Sequence, residues 1–203
     1  MKTLKKNIFT ALVTSSAFIS PIAIADTSDS GFYLTAGIGT GLETDVDGSI
    51  DGVNFSATGR TTFGGGIGLG YDFDNNWRVE AGVTRSTIKY KSFVVDGTQI
   101  DLEDNVDGTG VSISAAYDFE NESKITPYIE GSYGIAWADD ADDSTSGYGI
   151  AFGLSTPVSD EVELWGAVGL GFSSDQTENV EGTSVNVDGS TEWGFSTGLR
   201  IRL

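Results

Sequence analysis

The chain has no cysteine and no histidine in its 203 residues. Without cysteine, an exported fold has no disulfides and must stand on packing and hydrogen bonds. Without histidine or cysteine, the usual base-and-nucleophile designs of hydrolases and acyltransferases lack their central residue. The carboxylates that remain are paired or scattered, so no enzyme is expected, and no catalytic residue, cofactor or resident metal is assigned. Proline occurs only three times. After residue 25 no apolar run approaches the roughly 18 residues of a spanning helix. Bases are scarce as well. Three of the 11 basic residues and none of the 30 acidic ones precede residue 26, leaving eight against 30, a net charge of −22. That balance excludes nucleic acid as a partner, because phosphate binding needs a basic face.

What is present begins with MKTLKKNIFTALVTSSAFISPIAIA. Lys2, Lys5 and Lys6 precede a moderately apolar stretch that closes on Ala23-Ile24-Ala25. A basic start, a short apolar centre and a small-x-small end make a secretory signal peptide, expected to be removed after Ala25. The polar Thr14, Ser15 and Ser16 and the break at Pro21 argue against a retained membrane helix. The expected mature domain is residues 26–203.

Glycine is abundant, at 28 residues, and it recurs at every second position, as in Gly64, Gly66, Gly68 and Gly70. It precedes no helix and so forms no phosphate cradle. Period two is the signature of a strand, whose successive side chains point to opposite faces. Eight segments show it: 31–42, 61–73, 77–87, 110–119, 125–137, 147–156, 161–172 and 192–203. In each, a bulky apolar row opposes a row of Gly, Ser, Thr, Ala and a few charges. The stretch NNWRVEAGVT is typical: Trp77, Val79, Ala81 and Val83 alternate with Arg78, Glu80, Gly82 and Thr84. Three connections are tight, around 74–76, 120–123 and 158–160. The four between them, about 43–60, 88–109, 138–146 and 173–190, are longer. Val-Asp-Gly recurs in these at 46–48, 95–97, 106–108 and 187–189. Asp-Gly is a two-residue hairpin signal, so parts of the long loops are expected to continue as hairpins.

Size and polarity decide which row faces inward. The interior of an eight-stranded barrel is only just wide enough for side chains to fill. The apolar row, with Phe63, Trp77, Trp137, Phe152 and Trp193, would crowd it. The Gly/Ser row fits, and the bulky row then faces lipid. The outward aromatics also sort by height. Phe32, Tyr71, Phe73, Trp77, Tyr117 and Phe119 fall at the rim of the short turns. Phe63, Tyr133, Trp137, Tyr148, Phe172, Trp193 and Phe195 fall toward the other. Two aromatic girdles around an aliphatic band are the interfacial pattern of a membrane barrel. The expected fold is therefore all-β: an eight-stranded antiparallel up-and-down transmembrane β-barrel with short periplasmic turns and long extracellular loops.

NNWRVEAGVT, the ITPYIEGSYGIAW of the fifth segment and the closing WGFSTGLRIRL resemble the small outer-membrane β-barrels of the OmpA, OmpX and opacity-protein kind. The resemblance extends over the whole expected mature chain. It implies residence in the outer membrane of a Gram-negative cell, contact with its lipid, and assembly by the barrel-assembly machinery, which reads the last strand. Here that C-terminal signal is Trp193, Phe195, Leu199, Ile201 and Leu203, ending on leucine where family members usually end on an aromatic. It also implies an ion-pair network inside the barrel. Inward positions put Asp72, Arg78, Glu80, Glu130, Glu163, Arg200 and Arg202 there, along with Asp118 and Glu192. Hairpin counting sets Asp72 opposite Arg78 and brings Glu163 near Arg200.

Seventeen of the 30 acids fall in the four long loops. Asp45, Asp47 and Asp51 hint at a divalent-cation site, but the spacing is not that of an EF-hand, and a hydrated, repulsive surface coat accounts for them. The expected function is that of an integral outer-membrane barrel, expected to be monomeric, with a structural and surface-display role. The alternatives are a narrow pore for small solutes, which Tyr33, Tyr128, Trp165 and the charges should block, and an adhesin or binding module acting through the acidic loops on a cation or surface ligand.

Overall fold

The computed structural model describes residues 30–42, 45–59, 62–73, 75–101, 105–139, 144–180 and 183–203. The segment read as a signal peptide lies outside them, as do Glu43, Asp74, Asp140, Asp142 and Asp143. Thirteen strands follow in order: β1 (Gly31–Gly41), β2 (Asp45–Ile50), β3 (Val53–Gly59), β4 (Phe63–Asp72), β5 (Trp77–Val95), β6 (Thr98–Asp101), β7 (Asn105–Asp118), β8 (Thr126–Ala138), β9 (Ser144–Pro157), β10 (Val162–Ser173), β11 (Gln176–Val180), β12 (Thr183–Val187) and β13 (Thr191–Arg202). Eight of them, β1, β4, β5, β7, β8, β9, β10 and β13, pair antiparallel with their neighbours, and β13 returns to β1, closing a barrel.

The stagger can be read from the pairing. From Gly41 the register passes through Gly194, Gly169, Ala151, Glu130, Ala116, Arg78 and Asp72, and returns to β1 at Gly31, ten residues lower. Ten over eight strands tilts the staves by roughly 43°, inside the range of outer-membrane barrels. Closure pairs every stave on both edges, as a lipid setting requires.

The two faces are sorted as the alternation predicts. Ile67, Ile113, Phe63 and Tyr148 are at least 60% exposed, while Arg78 and Arg200 are at most 2% exposed. A soluble protein has the reverse. The lower girdle holds two triads of touching rings: Phe32, Tyr71 and Phe73 meet edge to face with centroids 4.9 and 5.0 Å apart, and Trp77, Tyr117 and Phe119 at 5.3 Å. Tyr148 stacks on Phe172 in the upper one, also at 5.3 Å.

The periplasmic turns are closed by local hydrogen bonds. Asn76 adopts φ +67°, a conformation asparagine tolerates, and its side-chain amide donates to the Asp118 carbonyl at 3.2 Å. Asn121 Oδ1 accepts from the Ser123 N–H, and Ser159 Oγ from the Val162 N–H.

The long loops are more regular than their composition implies. β5 runs for 19 residues. Above the membrane a second sheet forms in the order β11-β12-β2-β3-β5-β6. Six of the eight staves thus continue upward as a curved wall, whereas β8 and β9 end at Ala138 and Ser144. Two hairpins turn on Asp51-Gly52 and Asp96-Gly97, with positive φ at both central residues, the type I′ geometry that Asp-Gly favours. Of the four Val-Asp-Gly copies only 95–97 marks a turn. Gly48 and Gly108 lie within β2 and β7, and Gly189 lies between β12 and β13. At Gly48 the reason is steric: a Cβ there would come within 2.6 Å of the Phe55 ring across the strand.

Candidate functional site

The lower half of the lumen is a charged layer built from seven staves. Arg78 on β5 donates from Nη1 to both carboxylate oxygens of Asp118 on β7, at 2.7 and 2.8 Å. Its guanidinium lies 5.0 Å from the centre of the Tyr128 ring on β8. Arg200 on β13 donates to Glu163 on β10 at 2.7 Å, and its guanidinium lies 4.4 Å from the Tyr33 ring on β1. Each arginine is thus held between a carboxylate and a tyrosine face, and all six residues are buried. Burial without a partner is costly for a charge, and cation–π contact adds to the ion pair once water is excluded.

The tyrosines fit because glycine faces them. Tyr33 pairs with Gly70 on β4, and Tyr128 with Gly153 on β9. A Cβ at either glycine would run into the opposing ring. Trp165 on β10 uses Gly198 on β13 in the same way. The small residues of the inner row are therefore sockets for three large rings that occupy the lumen.

The expected interior residues divide into groups. Glu163 and Arg200 are register partners and ion-paired. Asp72 is the register partner of Arg78, yet the guanidinium bonds described for Arg78 go to Asp118, one strand to the other side. Counting around a hairpin fixes Cα partners, but a long arginine reaches diagonally. Glu80 and Glu130 are buried in the layer, and one Glu130 carboxylate oxygen makes no hydrogen bond to protein. Arg202 is only half-buried, at the periplasmic end. Glu192 is buried at the opposite end, near the top of β13. Two ion pairs, Arg78–Asp118 and Arg200–Glu163, thus lie among further buried carboxylates along the lumen. Trp193, Phe195, Leu199, Ile201 and Leu203 all lie exposed along the lipid face of β13.

A second buried centre has no counterpart in the list of inward charges. Val46, Phe55, Ala57, Ile88, Tyr90, Ala138, Val185 and Val187 form an apolar core inside the extracellular wall, with Ile50, Val95 and Val106 packed against it. The valine of every Val-Asp-Gly copy is in this cluster: Val46, Val95, Val106 and Val187. The repeat is a core signal before it is a turn signal. Ile88 and Tyr90 continue the inward row of β5 beyond Thr84 and Ser86, so unbroken alternation past residue 87 was the clue that a loop assignment over 88–109 obscures.

A profile of the outer membrane protein beta-barrel domain matches residues 9–164. The chain belongs to that family. It is an outer-membrane protein. This outer-membrane barrel is 27% identical over 176 residues to outer membrane protein PagN of Salmonella typhimurium, covering 74% of the chain and 70% of PagN. In fold it is similar to Neisserial surface protein A, with TM-score 0.55, 20% identity, and 86% of this chain and 99% of that one covered. It is also similar to outer membrane protein AlkL in lipid bilayers, with TM-score 0.51, 14% identity, and 91% and 95% covered.

The described acids of this barrel's outer surface do not converge. Among the described residues no group of three or more Asp or Glu side chains could hold a metal ion. Asp45, Asp47 and Asp51 are spread along β2 and its turn. At the upper rim Arg85 on β5 is paired with Asp139, just past β8, with Asp107 3.9 Å away. The guanidinium holds the Asp139 carboxyl below its ordinary range.

Proposed function

We propose that this outer-membrane barrel is a closed structural shell that displays a preassembled acidic surface outside the cell, and that it is neither a pore nor an enzyme. The observation that carries this is occlusion at two heights. Arg78, Arg200, Tyr33, Tyr128 and Trp165 fill the lower lumen. The apolar cluster lies within the wall above it. Ions crossing a bilayer need a continuous wet path, and both layers oppose one. The net negative charge keeps the displayed surface hydrated and repulsive.

Export by removal of residues 1–25, insertion by the barrel-assembly machinery through Trp193, Phe195, Leu199, Ile201 and Leu203, and a monomeric state complete the proposal. The test is single-channel recording of the refolded protein in a planar bilayer. No sustained openings are expected; stable conductance steps would establish a pore instead. Deleting the β2–β3 hairpin and measuring adhesion to cells separates display from a binding role, for which adhesion would fall.

A further inference from the structure

Between the two occluded heights the lumen opens again. In the charged layer the inward Thr35, Ala116 and Ser155 are buried, and nearer the extracellular core so are Gly110, Gly134 and Ala136. At the levels between, the inward Thr84, Ser112, Ser114, Ser132 and Ser196 are only half-buried, and so are inward glycines such as Gly66 and Gly149. All these positions have lipid-facing neighbours on either side along the strand, so the accessible surface that sets the belt apart lies inside the barrel. A Cβ built on Gly82 or Gly169 would find its nearest atoms on flanking strands, not across the lumen. The belt takes in about four residues of each stave, roughly 10 Å along the axis at this rise and tilt. It is a closed chamber walled by hydroxyls and paired backbone, polar and roomy enough for water.

Three carboxylates, each more than nine-tenths buried, lean toward it. The Tyr33 ring fills the space beside Gly70, the register partner of Glu80, and Glu80 Oε1 lies instead beside Gly68, one inward position higher. Glu130 accepts from Ser114, one inward position above its register partner Ala116, and its Oε1 has no hydrogen bond to protein. From the other end Glu192 leans down over Gly41, the partner of Gly194. Charge does not balance at the floor. Arg78 and Arg200 are bonded to Asp118 and Glu163. They also act on Glu80 and Glu130, but two positive charges then face four carboxylates. Glu80 and Glu130 repel one another as well. No positive charge among the described residues acts on Glu192. Buried carboxylates are costly unless something compensates them.

We propose that the floor of this chamber binds a monovalent metal cation, sodium or potassium, between Glu80 and Glu130, with the Ser114 hydroxyl and water oxygens completing its shell. Carboxylate and hydroxyl oxygens suit a hard cation. The number of acids selects its charge. Calcium takes about six to eight oxygens, usually with several carboxylates among them, and no three acids of the described residues meet. Glu192 at the roof keeps the chamber negative from both ends, which disfavours an anion. The ion serves as a structural counter-charge that ties β5 to β8 across the intervening β7.

The test refolds the full mature barrel in a zwitterionic detergent in sodium, potassium or N-methylglucamine chloride, the last a cation too large for the chamber. Refolding in each salt makes entry irrelevant, and equal ionic strength removes general screening. Urea unfolding is followed by tryptophan fluorescence. A cation at ten times its dissociation constant that binds only the folded state raises the folding equilibrium constant about 11-fold. A gain of that order is expected in sodium or potassium over N-methylglucamine. Glu130→Gln should abolish it, and the exposed Glu122→Gln should retain it. Heat-shifted gel mobility reports whether each variant folds, and Ser114→Ala, which leaves every charge in place, should narrow the gain if Glu130→Gln does not fold. Crystals grown in rubidium chloride should show an anomalous peak beside Glu80 and Glu130. Equal stability in all three salts, a gain that persists in Glu130→Gln, or a rubidium peak absent from the chamber would each overturn the proposal. Stability that ignores the salt but rises in Glu130→Gln would show a proton shared by the carboxyls instead, and would overturn it too.

Discussion

Tyr33 and Tyr128 occupy equivalent places, four staves apart around an eight-stave barrel. Each ring lies over a glycine of the next strand, Gly70 or Gly153, and beneath a guanidinium, Arg200 or Arg78. A half turn about the barrel axis carries the strand of Arg78 onto that of Glu163, and the strand of Asp118 onto that of Arg200. The two halves therefore repeat the same packing with the ion pair reversed in sign.

That relationship makes each pair a support of the lower lumen. Removing one partner strands a buried charge, so Arg78→Ala and Arg200→Ala are each expected to lower stability by about 3–5 kcal/mol. The two arginines act on one another and both act on Glu80, so the double variant should depart from additivity. Urea unfolding in detergent micelles, followed by tryptophan fluorescence, reads both. An unchanged midpoint for either single variant would contradict the ion-pair assignment.

The glycine sockets give a second expectation. Gly70→Val places a branched side chain into the space of the Tyr33 ring, and overpacking of this kind costs about 1–3 kcal/mol. Adding Tyr33→Ala should recover part of that loss, giving a coupling that a merely weakened strand would not show. The same unfolding assay measures the cycle.

The extracellular core is expected to hold the hairpins above the membrane in one arrangement. Phe55→Ala removes a buried ring from it, a change that costs about 3–5 kcal/mol in a packed core. Limited proteolysis of intact cells should then nick the β2–β3 and β5–β6 hairpins faster, while heat-shifted mobility of the barrel persists. Wild-type resistance to cleavage in the variant would mean that the cluster does not order the loops.

The rim pair predicts a pH effect of known direction. Arg85 depresses the carboxyl of Asp139 below the usual 3.8. A depressed acid contributes stability that is present above its unfolded value and is lost as pH falls through its lower folded value. Both groups are exposed, so the contribution is small. Carboxyl carbon shifts of Asp139 in a nuclear magnetic resonance titration should show a midpoint under 3.8, moving up in Arg85→Gln.

The transmembrane part was legible in the amino-acid sequence because three signals agree there. Period two, a bulky row against a Gly/Ser row, and aromatics at both ends all point to one inverted barrel. Six of the eight staves begin and end close to where the alternation does. The third segment, from 77, does not stop at 87, and the fourth, expected from 110, already starts at Asn105. The interior was half legible. Parity places Arg78, Glu80, Glu130, Glu163 and Arg200 inside, but parity says nothing about diagonal reach, and so Asp118 was not matched to Arg78. The extracellular core was the least visible. Its valines sit beside Asp-Gly in acidic stretches, and local composition there resembles a loop. Only their meeting in space, across β2, β5, β7 and β12, reveals a packed centre.

One irregularity in β5 sets what that centre can tolerate. Gly59 and Thr58 of β3 are consecutive, yet they face Tyr90 and Ser92, so Lys91 is an added residue with no counterpart on that edge. The extra length lets Ile88 and Tyr90 below and Val95 above turn to the same side. Exchanging the lysine for another polar residue leaves that switch in place. Losing or gaining a single codon there would turn the upper ribbon inside out, so evolutionary drift in this stretch is open to substitution and closed to changes of length.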